Sequence, residues 1–196
     1  MNGVTLKVIR EEHQALSAML RSMVMLVAQH RRSGTPLDFG VLRAMLFYVD
    51  EFPERLHHPK ESQLLFPLLR RRCPEIGAVL DRLDRDHGEG EKAIRDLEHA
   101  LLAFEVIGAP RAAVFEHALQ RYVDDYLSHM ALEESQVLPA AERVLSDTDW
   151  AVLDRAFAAN RDPLTGHPVD DVYRPLFSKI VRTAPAPIGL GPARAA

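Results

Sequence analysis

The chain has 196 residues, 47% hydrophobic and 27% charged, with a formal net charge of -4. That balance is one ordinary globular domain with room for a full core, and the acidic excess argues against nucleic acid, which calls for a basic face. A single cysteine, Cys73, excludes an internal disulfide, and no apolar run reaches the length of a membrane span, so a cytoplasmic protein with no membrane contact is expected.

Apolar residues recur at helical spacing through four long segments, with no alternating β pattern of useful length between them. The first segment runs to about Arg32 and stops at Ser33-Gly34-Thr35-Pro36, where Gly34 suits a left-handed stop. The second starts near Leu37 and ends at Cys73-Pro74, the third ends at Gly108-Ala109-Pro110, and the fourth runs on past Pro139. Ser146-Asp147-Thr148-Asp149 reads as the N-cap of a short helix from Trp150 to Asn160. Past Asp162 proline and glycine take over, and there Val172, Tyr173, Leu176, Phe177 and Ile180 suggest one short docking helix. The expected fold is all-α: an up-down-up-down four-helix bundle over residues 1–145, a short accessory helix over 146–161, and a Pro/Gly-rich irregular tail over 162–196.

Four histidines, His13, His57, His87 and His129, fall one to each long segment. At roughly 100° per residue each lies in its segment's apolar stripe. Counted from the intervening turns, His13 and His57 lie about 19 and 20 residues away, His57 and His87 about 15 and 13, and His87 and His129 about 21 and 19. Antiparallel helices then place all four imidazoles in one layer. His57 and His129 each carry a glutamate four residues on, Glu61 and Glu133, on the same helix face. With 14 glutamates in 196 residues, nine histidines should meet fewer than one at that spacing by chance; three do, the third being His87 with Glu91.

Any one such histidine is ordinarily a satisfied core residue. Four imidazoles and two carboxylates in one apolar layer are a different matter. An unpaired buried carboxylate costs several kcal/mol, and a bound cation removes that cost. His13, His57, Glu61, His87, His129 and Glu133 are therefore the expected metal ligands. Imidazole with carboxylate suits iron, whereas structural zinc more often recruits thiolates; manganese or a mixed iron-manganese pair fits the same donors. These six groups fall short of two complete coordination spheres, so solvent or an exogenous ligand must finish them.

Four further residues are candidates for the metal or its supporting surroundings. His58 sits about 100° from His57 and becomes a fifth imidazole only where Pro59 distorts the helix. Tyr122 lies two turns before His129, where a phenol ordinarily packs but can also ligate iron or bond a bound ligand. Gln136 and Glu91 fall by the same count on the inward faces of their helices. His30, His99 and His117 lie off the layer, and His167 falls in the tail.

These motifs resemble the hemerythrin-like, HHE cation-binding family. A lone histidine, a His-x-x-x-Glu, a further histidine and a second His-x-x-x-Glu follow one another over residues 5–145. The flanks agree: His57-His58-Pro59-Lys60-Glu61 leads to Leu65-Phe66-Pro67, and His129-Met130-Ala131-Leu132-Glu133-Glu134 leads to Leu138-Pro139. The resemblance implies a non-haem di-iron centre in a four-helix bundle, two iron ions with Glu61 and Glu133 as bridging carboxylates and an oxo or hydroxo bridge. It also implies a small-molecule ligand: oxygen, nitric oxide or peroxide. Where oxygen-carrying members place a second histidine one turn after the third-helix ligand, this chain has Glu91, a harder donor that argues against reversible oxygen carriage. The expected role is binding or sensing a small oxidant, or iron storage or repair, rather than catalysis, with peroxide decomposition the enzymatic alternative. A ferritin-like di-metal oxidase needs Glu-x-x-His on two helices. Only Glu54 with His57 supplies it, and Tyr126 stands where the second glutamate belongs. A metal-free helical interaction module leaves the core carboxylates without a reason. The sequence leaves any protein partner open, and a signalling output would have to go through one.

Overall fold

The computed structural model describes residues 4–160, 162–184 and 188. Helix α1 (Val4–Ser33) ends where Gly34 takes φ 67° and its N–H bonds the His30 carbonyl at 2.9 Å. Helix α2 covers residues 39–72 and starts at Asp38, whose carboxylate accepts from the Val41 N–H. A short turn at Pro74–Ile76 leads into α3 (Gly77–Ile107), which stops at Gly108 with φ 87°. Helix α4 covers residues 112–144. Helix α5 (Asp147–Phe157) begins three residues before Trp150, because Ser146 is itself the cap and closes a reciprocal capping box with Asp149. Helix α6 (Arg174–Thr183) follows.

Helix α1 packs against α2 and α4, and α3 packs against the same two, so chain neighbours are antiparallel neighbours. The fold is all-α, with no strand among the described residues. Nor is any described helix long and apolar enough to cross a membrane. Buried apolar side chains form two clusters. One holds Leu20, Met23, Leu42, Met45, Leu101 and Phe115; the other holds Ile9, Phe66, Leu69, Leu80, Leu138 and Leu153. Between them lies a buried polar layer with Glu12 and His13 of α1, His57 and Glu61 of α2, and His129 and Glu133 of α4, joined by the half-buried His87 of α3. Burying each large apolar side chain contributes roughly 1.5–3 kcal/mol, so two dry ends clamp a polar middle.

Helices α2 and α4 widen where they cross that layer. In α2 the His58 N–H reaches the Pro53 carbonyl and the Phe66 N–H reaches the Glu61 carbonyl, each five residues back. In α4 the Leu138 N–H reaches the Glu133 carbonyl in the same way. Proline is the cause: it has no N–H, and its ring crowds the carbonyl four residues earlier. Pro67 and Pro139 each stand six residues after the glutamate that opens the wide turn.

The two short helices lie outside the four-helix frame. Helix α5 rests on the first half of α1, where the Thr5 N–H and hydroxyl both donate to Asp154 and where Trp150, Leu153 and Phe157 are buried. Helix α6 rests on α2, with Phe177 edge-on to Tyr48 and Phe52. The connection between them brings buried Asn160 and Asp162 against the polar layer. Of the Pro/Gly-rich tail expected over 162–196, residues 185–187 and 189–196 lie outside the described residues.

Candidate metal centre

The structure brings six expected ligands together with their donor atoms facing one another. On one side, His57 Nε2 lies 3.2 Å from Glu61 Oε1 and His13 Nε2 lies 3.3 Å from Glu133 Oε2. On the other, His129 Nε2 lies 3.3 Å from Glu133 Oε1, and His87 Nε2 lies 3.6 Å from Glu61 Oε2. Each glutamate thus gives one oxygen to each histidine pair. His87 Nε2 and His129 Nε2 stand 3.0 Å apart, the spacing of two imidazoles at right angles about 2.1 Å from a common ion. Both oxygens of Glu61, both of Glu133 and His57 Nε2 are buried with no hydrogen-bond partner among the described residues.

Every Nδ1 of the four is held by an oxygen outside the cluster. His57 Nδ1 meets Glu12 at 2.6 Å, His13 Nδ1 meets Glu134 at 3.0 Å, and His129 Nδ1 meets Asp86 at 3.3 Å. His87 Nδ1 meets the Ser62 oxygen at 2.8 Å, while the Ser62 hydroxyl donates to Asp84. An acceptor at Nδ1 keeps the proton there and leaves the Nε2 lone pair for the centre, the usual arrangement behind a metal-bound imidazole.

Charge in this layer is finely divided. Burial opposes protonation of His57, yet Glu61 and Glu12 outweigh it and hold its pKa well above the ordinary histidine value. Against the same burial, Glu133 raises His129 to about 9, and Glu133 with Glu134 raises His13. Burial, joined by His58 and His129, lowers His87 to about 2. Of the facing carboxyls, burial and Glu133 push Glu61 up; Glu133 is buried too, but His129 and His13 hold it well below the carboxylate range. Protons on imidazoles are thus the available counter-charge when no cation is bound. Divalent cations would neutralise the same carboxylates and also engage the orphaned oxygens and the His57 lone pair, so this donor set fits two of them.

His58 faces inward as well. Its ring stacks on His87 with centroids 4.1 Å apart, and it forms a potential ligand group with His87 and His129. A steady 100° count misses this because the wide turn ending at His57 slows the rotation of α2 just before His58. The His87/His129 side therefore has a third imidazole within reach, and the His13/His57 side has none among the described residues.

Two expected neighbours are elsewhere. Glu91 is exposed and paired with Arg95, so the side chain one turn after His87 stays in water instead of hardening the site. Glu91 is therefore not a donor to the centre, and its presence one turn after His87 does not count against reversible oxygen carriage. Gln136 is also exposed, because it lies inside the wide turn Glu133–Val137 that displaces it from the His129 face. Tyr122 is buried, but its hydroxyl turns to Glu54 at 3.4 Å and not to the donor cluster. Glu54 and Tyr126, which the sequence pattern brought up only in weighing the ferritin-like alternative, complete a network. Tyr126 lies 3.1 Å from both Glu54 Oε1 and His58 Nε2, and Glu54 Oε2 meets His58 Nδ1 at 3.1 Å. The periodicity held a trace of it, since Tyr122, Tyr126, His129 and Glu133 share one face and Glu54 precedes His58 by one turn.

A four-helix bundle that directs imidazoles and paired carboxylates from all four helices to one buried point is a cation-binding protein of the histidine-carboxylate class. The family comparison agrees: the hemerythrin HHE cation-binding domain matches residues 4–141, and the chain belongs to that family. No curated protein and no solved structure gives a significant match.

Proposed function

We propose that this chain is a non-haem di-iron protein that binds or senses a small oxidant. The observation that carries the reading is the division of Glu61 and Glu133, each giving one oxygen to the His13/His57 pair and the other to the His87/His129 pair. Two ions about 3.5–4 Å apart require that division. Histidine and carboxylate without thiolate favour iron. When bound, the iron pair supplies redox chemistry and open positions for a small molecule.

The protein's own residues supply orientation, exclusion and protons. Glu12, Glu134, Asp86 and Ser62 fix the four Nδ1 atoms. His58 would add an imidazole to the His87/His129 side if its Nε2 left Tyr126, and the His13/His57 side would then be the poorer in donors. That side faces a cavity of about 20 Å³, walled by Leu16, Phe52, Pro53 and Met130, with room for about one water-sized guest. Behind His58, burial raises the Glu54 carboxyl to about 7 against the hydrogen bonds of Tyr126 and Tyr122. Its oxygens can therefore hold or release a proton near neutral pH.

Anaerobic native purification with iron quantitation tests the reading. About two irons per chain are expected. Glu61→Ala and Glu133→Ala should each lose the iron together with the stability it contributes. A parent without iron overturns the proposal, and a variant with full iron content overturns the bridging role. His99→Ala, at an exposed position, should leave the iron content unchanged.

A further inference from the structure

Residues beyond the family match reach back to the centre. Asn160, on the connection after α5, is 3% exposed and lines the small cavity beside His13 and His57. Its Nδ2 donates to Glu12 Oε2 at 3.0 Å, and the same oxygen accepts from His57 Nδ1. That contact fixes the amide's orientation, because turning it over would set Oδ1 against a carboxylate. Oδ1 is left buried with no partner among the described residues.

The donor atoms around the cavity are already engaged. His57 Nδ1 is held by Glu12, His13 Nδ1 by Glu134, His58 Nδ1 by Glu54, and the Tyr126 hydroxyl by Glu54 and His58. Both Asp162 oxygens are occupied, by Tyr48 and by the Leu164 N–H. With His57 Nε2 turned to the metal centre, the other buried side-chain atom without a partner among the described residues of this wall is Asn160 Oδ1, an acceptor. A buried acceptor left unpaired is costly, so the cavity favours a guest that brings a hydrogen. Dioxygen and nitric oxide have none to give, whereas hydrogen peroxide has two.

We propose that Asn160 is a specificity-determining residue and that the small oxidant taken by this site is hydrogen peroxide, held by donation of one O–H to Asn160 Oδ1. This rests on the di-iron reading above. The test uses the iron-loaded full chain, with Asn160→Leu and Asn160→Ala beside the parent. Three quantities are measured: iron content, the nitric oxide dissociation constant of the ferrous protein, and the peroxide concentration dependence of its optical oxidation.

Loss of one hydrogen bond should weaken peroxide capture about tenfold while nitric oxide affinity stays within about twofold, with iron content unchanged. Equal weakening for both ligands would mean that Asn160 acts only by positioning Glu12 and His57, and would overturn the inference. No change in either ligand, or loss of iron from both variants, would overturn it too. A parent that binds no iron would instead bring down the di-iron reading on which the inference stands.

Discussion

Replacing Glu61 by glutamine should act with opposite sign on the metal-free and the iron-loaded protein. Glu61 is fully buried, and neither carboxylate oxygen has a hydrogen-bond partner among the described residues. Burial and the facing Glu133 raise its pKa, so its ionised form is the costly one in the fold. A raised carboxyl contributes stability that is fully present below the unfolded value and is lost as pH rises through the folded value. As pH rises above the ordinary carboxylate value the metal-free parent progressively loses that contribution, and glutamine, a neutral group of the same shape, retains it. Each unit by which a pKa is raised is worth about 1.4 kcal/mol, so metal-free Glu61→Gln, which has no charge to bury, should be more stable than the parent at pH 7 by about that amount or more. For a chain of this length each kcal/mol moves Tm by about 2–4 °C. Calorimetry after chelation should show the gap at pH 7 and its closure near pH 4. With iron restored the order should reverse, since glutamine cannot bridge two cations. A metal-free variant less stable than the parent at both pH values would refute the reasoning.

Two glycines in α3 should respond oppositely to alanine. A Cβ on Gly90 would press into the Glu54 carboxylate, 2.9 Å from Oε1, and Glu54 is tied to Tyr126 and His58, so Gly90→Ala should cost about 1–3 kcal/mol in chemical denaturation. A Cβ on Gly88 would meet nothing within 4 Å, so Gly88→Ala should stabilise by up to about 1 kcal/mol; equal effects at the two sites would contradict the packing described. Burial raises Asp162 to about 6 against its bonds from Tyr48 and Leu164, so its stabilising contribution is present below the ordinary 3.8 and is lost as pH rises through 6. Asp162→Asn should flatten that part of the pH dependence of unfolding, at most about 3 kcal/mol; an unchanged profile would count against it. Ser146→Ala removes one half of the capping box and should cost about 1 kcal/mol of stability, read as faster amide exchange in the first turn of α5.

The helices and the six donors were legible because they obey short-range rules. Gly34 and Gly108 mark stops through their left-handed backbone, and His57 with Glu61 and His129 with Glu133 share a face at any regular pitch. What escaped lies where the pitch changes or the chain returns from afar. The wide turns ending at His57 and at Val137 break the constant rotation that placed His58 to one side and Gln136 inside. Glu91 satisfied the count, yet a charged side chain at the edge of a face goes to water when Arg95 waits there. Glu12 is next to His13 in the chain but points to His57 on α2, a partner that no local spacing encodes. Asn160 is separated from Glu12 by 148 residues and reaches it only because α5 folds back on α1.

Iron-edge anomalous diffraction from crystals of the natively purified protein addresses the central claim most directly. Two anomalous peaks about 3.5–4 Å apart are expected, one beside His13 and His57, the other beside His87 and His129, with Glu61 and Glu133 touching both. A single peak, or peaks that leave either glutamate in contact with one ion alone, would contradict the two-ion centre.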